Sequence, residues 1–512
     1  MITPLSEFRE LGKHHRVVPV TAKVLGDGET PMSIYRAIAH GRPGAFLLES
    51  ASQGFWQRYS FVGRNPLSTL TAQRGGELTW QGTVPAGAPT GGDPLEGISQ
   101  VLSLLKSPPP VNLPPMTSSL VGYVGWDAVR RFEKLDDGPE AVSNIPEIHL
   151  SIPGDVVVFD HYTAELTLVA NVLNADGSPE RIEQAYENGR KRINAMLRDL
   201  NAQRTPVIST LEWPAPEVRS HTEHEDFLTT VETAKEHIRR GDVFQVVPGQ
   251  RFESDTSASA LDIYRVLRRT NPSSYMYLLE VENSEGEPFS IIGSSPEALV
   301  TVKDREVLTH PIAGSRPRGK TEVEDRRLAE ELIGDAKERS EHIMLVDLAR
   351  NDLAKVCQPG TVDVAEFMEI ARYSHIMHIE STVTGTLRDD VDGMDVIRAA
   401  FPAGTLSGAP KPRALQLIDE LELIGRGLYG GVVGYLSFAG DLDMAIAIRT
   451  GVLKDGVIAV YAGAGVVADS VPESEYQETR TKAASVLNSA AAAQTLRTAV
   501  SVDDLEEQGE RE

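Results

Sequence analysis

The sequence predicts a mixed α/β fold of the α+β type. Short apolar runs bounded by turn residues recur through its first third. Two long helical stretches bracket a glycine-rich, strand-like region in its second half. The 512 residues are 41% hydrophobic and 24% charged, an ordinary globular balance that excludes a collagen, a coiled coil or a wholly disordered chain. At roughly 150 residues per domain, the length allows two to four domains or one large intertwined one.

Taken in order, residues 45–50 and 58–63 are the first strand candidates. Five prolines between positions 108 and 115 impose a loop. Residues 119–126 and 154–159 read as strands, and 181–200 carries the spacing of an amphipathic helix. Pro206, Pro214 and Pro216 mark 203–218 as a linker, which divides the chain into an N-terminal region (1–202), a second region (219–495) and an acidic tail (496–512). The tail is expected to be disordered. Beyond the linker, 223–240 is helical, with Thr222 and Glu225 at capping-box spacing. Residues 243–252 read as a strand, 324–354 and 472–493 as long helices, and 427–468 as glycine-rich strands. Pro472 suits a helical first turn, with Ser470 and Glu473 spaced as a second capping box. A short echo links Val121-Gly122-Tyr123 to Val433-Gly434-Tyr435.

Charge narrows the function classes. Fifty basic against 74 acidic residues give a net charge of −24, the wrong sign for a nucleic-acid binder or an anionic membrane surface. A small anionic substrate would have to be held by local cations. The single cysteine, Cys357, rules out an internal disulfide and a Cys-rich zinc site. Its neighbours Lys355-Val356 and Gln358-Pro359 form no nucleophile elbow, so a packing role is expected. The first twenty residues hold no apolar signal core, and no run of about 18 apolar residues occurs. No membrane association and a cytoplasmic location are therefore predicted.

Two acidic pairs carry the first chemical signal. Glu338 and Glu341 lie three residues apart on one helical face, and Glu475 and Glu478 repeat the spacing on another helix. Facing each other, they would form an oxygen-rich site suited to Mg²⁺. The same spacing is also common on solvated faces. Glycine turns at 310–319, 401–411 and 462–465 could bring backbone N–H groups to an anion, and Ser407, Gly408 and Pro410 open a predicted helix. Arg449, after an apolar strand, and Lys482, one turn beyond Glu478, are the candidate cations.

Read together, several segments resemble the chorismate-utilising enzymes, and among them the large subunits (component I) of anthranilate synthases. They are Gly241-Asp242-Val243-Phe244-Gln245-Val246-Val247, Gly293-Ser294-Ser295-Pro296-Glu297, the Pro311-Ile312-Ala313-Gly314 turn, 338–352, His375-Ile376-Met377-His378, 404–412 and 473–482. The likeness covers most of the chain and is strongest over 222–487. It implies a large intertwined fold with two mainly antiparallel sheets in a sandwich-like core and helices outside. It implies Mg²⁺-dependent conversion of chorismate and ammonia to anthranilate and pyruvate, the first committed step of tryptophan biosynthesis. Glu338, Glu341, Glu475 and Glu478 would hold the metal. Glu297 would be the general acid for C4–O cleavage, with its pKa raised by burial, His378 would assist pyruvate elimination, and Thr405 would join them. Gly314, Ser315, Thr405, Tyr435, Arg449, Gly463, Ala464, Gly465 and Lys482 would bind substrate.

The resemblance also implies L-tryptophan as a feedback inhibitor, at a site formed by Leu48, Glu49, Ser50, Pro272, Ser273, Tyr275 and Met276. Arg58, Tyr59, Asn271 and Tyr277 would complete it. Sister enzymes that add water carry a lysine where this chain has Gln245. An amide is no base at neutral pH, so ammonia is the expected nucleophile. Ala313, where aminodeoxychorismate synthases commonly have lysine, separates this chain from that alternative. With no thiol in a nucleophile's context, ammonia would come from solution or from a separate glutamine amidotransferase subunit (component II), in a heterotetramer of two large and two small subunits. Ser274, Ser315 and Thr481 stand where the family usually has proline, threonine and asparagine.

Overall fold

The computed structural model describes residues 2–50, 58–107, 113–141, 143–173, 179–204, 208–372 and 376–499. Five of the residues in the proline-rich run, Pro206, His375 and the tail from 500 onward lie outside them.

Runs of strands are interspersed with helices along the chain, and among the described residues the strand pairings are antiparallel. Twenty strands among the described residues join one hydrogen-bonded network, so the expected sheets are linked by shared ladders. In the N-terminal region, Ile148–Asp160 runs between Tyr59–Ala72 and Glu165–Leu173. Nearly every residue of this central strand is buried. A strand covered on both faces needs no polar alternation, which fits its apolar run.

Two ladders tie the regions on either side of 203–218 together. Phe46–Glu49 pairs with Tyr275–Glu282, placing Glu49 opposite Met276. Ser119–Val124 pairs with Val432–Ser437, placing Gly122 opposite Gly434. Phe46, Phe61, Tyr123, Tyr277, Ile291, Val433 and Tyr435, drawn from both regions, form one buried cluster. Each such side chain contributes about 1.5–3 kcal/mol by leaving water, so a shared core holds the two regions together.

Helices cover the outside. Pro179–Leu200 lies on the N-terminal strands, while Ala260–Thr270 and Pro472–Ala493 pack together over the C-terminal ones.

Several elements differ from the sequence reading. The helix expected over 324–354 is two helices, Glu322–Gly334 and Ala336–Ala354. Asp335 breaks it by accepting the N–H groups of Lys337 and Glu338 at 3.0 and 3.3 Å, which places Glu338 in a first turn. The strand expected over 243–252 is split into Gln245–Val246 and Gly249–Asp255 around Pro248, which has no N–H for a ladder. Neither capping box forms: Glu223 and Val471 are the N-caps, and neither side chain caps its helix. Ser470 instead accepts from Val467 N–H at 3.0 Å. The tail begins in order, since Arg497 and Thr498 pair with Thr210 and Ser209 of the linker.

Candidate active site

Glu297 sits in the turn between strands Pro288–Ser295 and Ala298–Lys303. Its carbonyl accepts Ile446 N–H at 3.0 Å. Its carboxylate accepts the Thr405 hydroxyl at 3.1 Å. Burial outweighs that hydrogen bond and the charge of Lys482, and pushes the carboxyl up to about 7. Glu297 and Thr405 also line a cleft of about 470 Å³, open solvent included, walled by Leu345, Leu348 and Ala403. A carboxyl still protonated near neutrality can donate a proton to a leaving oxygen.

His378 lies on strand Ile376–Thr386 opposite Ser315. A bulge between Ala313 and Ser315 turns the Gly314 carbonyl toward the ring, and it accepts Nδ1–H at 2.7 Å. Burial and the Arg449 charge lower the imidazole pKa, so the ring is held neutral with its proton on Nδ1. Gly314 has φ +63°, and a Cβ there would stand 2.7 Å from Glu338 Oε2. Glycine is therefore required both by the backbone and by the approach of the Glu338 carboxylate. Ser315, on strand Ile312–Pro317, is exposed.

The two acidic pairs come from helices Ala336–Ala354 and Pro472–Ala493, and their charges act on each other. Glu341 is raised by burial and by Glu338 and Glu478, against the hydrogen bond it accepts from Gln245 Nε2 at 3.1 Å. Glu475 is raised by burial and by Glu478, against a hydrogen bond from Ser470. Arg316 stands 3.5 Å from Glu338, and Lys482 2.7 Å from Glu478. Among the described residues, no three His, Cys, Asp or Glu side chains converge closely enough to hold a metal ion by themselves. The donor set is all oxygen, the chemistry Mg²⁺ prefers, and Mg²⁺ takes its remaining ligands from water and substrate.

Gln245 has its amide nitrogen committed to Glu341, while its Oε1 is buried without a hydrogen-bond partner. Gly465 makes room for it, since a Cβ there would meet Nε2 at 2.7 Å. Lys482 Nζ donates to Gly463 O at 2.9 Å. Ala464 N–H is already spent on Pro248 O at 3.1 Å, which removes one of the backbone donors expected for an anion. Arg449 is half-buried at φ +50°, with Glu478 and Tyr429 as its charged and polar neighbours.

Tyr435 is not brought to this group. It packs on Phe61 with ring centroids 6.1 Å apart, within the cluster shared by the two regions. The tyrosine that does stand here is Tyr429, which the sequence reading missed. A Cβ on Gly463 would lie 2.8 Å from its hydroxyl, and its ring stacks on Tyr461 at 5.0 Å. Its position in Leu428-Tyr429-Gly430-Gly431, ahead of the Arg449 strand, was the available signal.

The residues expected to bind a regulator lie on and beside the ladder of Phe46–Glu49 with Tyr275–Glu282. Glu49 Oε1 accepts Tyr264 OH at 2.6 Å and Arg268 Nε at 2.5 Å, whereas Glu49 Oε2 and Ser50 Oγ are buried without hydrogen-bond partners. Leu48 pairs with Tyr277, and Met276 with Glu49. Ser273 Oγ accepts from Ser294 Oγ at 2.9 Å, next to Asn271 and Pro272. Tyr275 OH donates to half-buried Asp443 at 2.9 Å. Arg58 pairs with Asp160 and is turned to that carboxylate. Thr481 Oγ1 bonds back to Gln477 O in its own helix at 2.8 Å. Cys357 is buried with its thiol pushed up to about 11, so it is no thiolate at neutral pH.

Residues 44–488 match the model of the chorismate binding enzyme family. Anthranilate synthase component 1 of Mycolicibacterium smegmatis is 51% identical over 96% of this chain and 94% of its own. That of Acinetobacter calcoaceticus is 43% identical over 95% and 98%. The crystal structure of anthranilate synthase component I from Streptococcus pneumoniae TIGR4 superposes with a TM-score of 0.74 at 35% identity, over 91% of this chain and 99% of that one. An isochorismate synthase of Escherichia coli shares the fold, with a TM-score of 0.69 at 18% identity. No described helix is long and apolar enough to cross a membrane. The chain is an enzyme of the chorismate-binding family and belongs to its anthranilate synthase component 1 group.

Proposed function

We propose that this chain converts chorismate and ammonia to anthranilate and pyruvate with Mg²⁺, and that L-tryptophan inhibits it. The observation that carries this reading is Gln245. Its amide nitrogen is tied to Glu341, so Oε1 is left as a fixed, buried acceptor. An acceptor suits the N–H groups of ammonia, and an amide cannot deprotonate water.

Glu297, protonated up to about pH 7, donates to the C4 hydroxyl, which leaves as water while ammonia adds at C2. Thr405 orients that carboxyl. His378, neutral and fixed by Gly314 O, takes the ring proton as the enolpyruvyl group leaves as pyruvate. Arg449, Lys482 and Tyr429 offer positive charge and a hydroxyl to the substrate's two carboxylates. Glu338, Glu341, Glu475 and Glu478 would hold Mg²⁺, which when bound supplies a Lewis acid to a substrate carboxylate and relieves the carboxylates' mutual repulsion. Chorismate is a dianion on a chain of net charge −24, so these local cations must overcome the global field.

The regulatory half rests on Glu49 Oε2 and Ser50 Oγ, two buried acceptors able to take an ammonium group. Since the lone thiol is buried and protonated, glutamine-derived ammonia requires a separate amidotransferase subunit, in an assembly of two large and two small chains.

The test mixes purified chain, chorismate, Mg²⁺ and ammonium at alkaline pH without glutamine, and follows anthranilate fluorescence and pyruvate. Both products should appear and vanish with EDTA. Chorismate loss without pyruvate would assign an aminodeoxychorismate synthase instead, and no turnover with tryptophan still bound would assign a regulatory subunit.

A further inference from the structure

Arg426 is a large charged side chain with no place in the proposed chemistry. Only 1% of its side chain is exposed, and its partner Glu422 is 2% exposed, with N···O 2.6 Å. A buried ion pair adds little stability over a well-packed apolar pair, because desolvation offsets its attraction. What such a pair can add is geometry, and Arg426 and Glu422 bond the backbone of two segments that carry candidate site residues, at Leu406 and at Val247 and Gly249.

The contacts are specific. Arg426 Nη1 donates to Leu406 O at 2.8 Å, one residue after Thr405. Nη2 donates to Val247 O at 2.6 Å, two residues after Gln245. The guanidinium lies 5.3 Å from the centre of the Tyr429 ring and 4.2 Å from that of Trp126. Glu422 accepts Gly249 N–H at 2.8 Å and Tyr461 OH at 2.9 Å, and Tyr461 stacks on Tyr429.

Thr405 and Gln245 are the groups that bond Glu297 and Glu341. They come from distant parts of the sequence, and a two-residue ladder of Gln245–Val246 with Gly408–Ala409, extended by Val247 N–H to Ser407 O at 3.1 Å, brings them together; Arg426 bonds both segments beside that ladder. A planar guanidinium with fixed donor directions can set their separation, whereas a lysine ammonium cannot bond two carbonyls and stack on two rings at once.

We propose that Arg426, braced by Glu422, is a positioning residue for the reaction, setting Thr405 against Glu297 and Gln245 against Glu341. This rests on the aminating reading above. Misplacement by about 1 Å of groups that act in the transition state costs up to about a hundred-fold in rate. Of the groups that hold substrate, the cations Arg449 and Lys482 lie on other contacts and only Tyr429 borders the pair, so substrate affinity should change less than rate.

The experiment compares wild type, Arg426→Lys and the double variant Glu422→Leu/Arg426→Met, which replaces the whole pair by apolar groups. Steady-state anthranilate formation gives kcat and KM, and thermal unfolding gives Tm. Both variants should lose about ten-fold or more in kcat, with KM for chorismate within about three-fold of wild type. The double variant leaves the Leu406 and Val247 carbonyls and the Gly249 N–H without these partners, so its Tm should fall, and turnover is read well below that Tm, where the variant is folded. A folded variant with wild-type kcat overturns the assignment. So does a rate loss matched by a rise in KM, which would mark a merely structural pair. An inactive wild type overturns the aminating reading itself, and the positioning role with it.

Discussion

Gly122 and Gly434 face each other across an antiparallel ladder, and neither has room for a side chain. A Cβ on Gly122 would stand 2.0 Å from the His149 carbonyl oxygen, and one on Gly434 2.0 Å from that of Asp443. Both obstacles are backbone of the adjoining strand, which cannot rotate away. Gly122→Ala or Gly434→Ala should therefore cost about 3 kcal/mol or more, and chemical denaturation would measure it. A cost below about 1 kcal/mol would mean that the two strands can part without penalty.

That ladder explains what was legible in the sequence. The Val-Gly-Tyr echo is a pairing signal, since Val433 lies opposite Tyr123 and Tyr435 opposite Val121. The same strand shows where reading fails. Every residue of Val432–Ser437 is buried, so alternation carries no information about which face a side chain takes. The resemblance implies Tyr435 as a substrate ligand, whereas its ring packs on Phe61. The acidic pairs, Glu297, Thr405 and His378 were readable as motifs. Their mutual placement was not, because it depends on contacts such as Thr405 with Glu297, 108 residues apart. The break at Asp335 was readable in principle: Gly334 suits a helix end and Asp335 a helix start.

Glu297→Gln should separate activity from stability. Without an acid for the C4 hydroxyl, kcat should fall by about 10²–10⁴. Stability should move the other way. The unfolded carboxyl releases its proton above about 4.5, but the folded one keeps it until about 7. Unfolding therefore releases a proton in that window, and wild-type stability drops as pH rises through it. The span corresponds to about 3 kcal/mol. The variant should match wild type in Tm near pH 4 and exceed it near pH 8, by an amount that thermal scans at both pH values would show.

Gln245→Leu should cripple amination while leaving the fold intact. It removes the buried acceptor and the donor to Glu341 together. KM for ammonium should rise about ten-fold, with KM for chorismate changing much less, read from anthranilate fluorescence over an ammonium series. Equal changes in both constants would place Gln245 outside the nucleophile's path.

Glu49→Gln should release the enzyme from tryptophan. The change keeps the side chain's shape and a carbonyl for Tyr264 OH, but removes the charge that Arg268 and a bound ammonium share. Calorimetry should show tryptophan affinity falling about ten-fold or more, since hydrogen bonds to charged groups are worth about 1.5–3 kcal/mol. Turnover without tryptophan should stay within about two-fold of wild type, because Glu49 contacts none of the catalytic groups. Unchanged affinity would move the regulator elsewhere.

The metal reading predicts a chain that folds without Mg²⁺ but responds to it. The four glutamates sit on helix surfaces outside the large apolar clusters, so chelation should abolish turnover while leaving far-ultraviolet circular dichroism unchanged. Adding Mg²⁺ to about a hundred times its Kd should then stabilise the fold by about 2.7 kcal/mol. Glu341→Gln tests where the ion goes. Glu341 is raised by burial and by the neighbouring Glu338 and Glu478 charges, so losing its charge relieves repulsion in the metal-free chain. The variant should melt higher than wild type in EDTA and gain far less from Mg²⁺. A Mg²⁺ response equal to wild type would place the ion away from these helices.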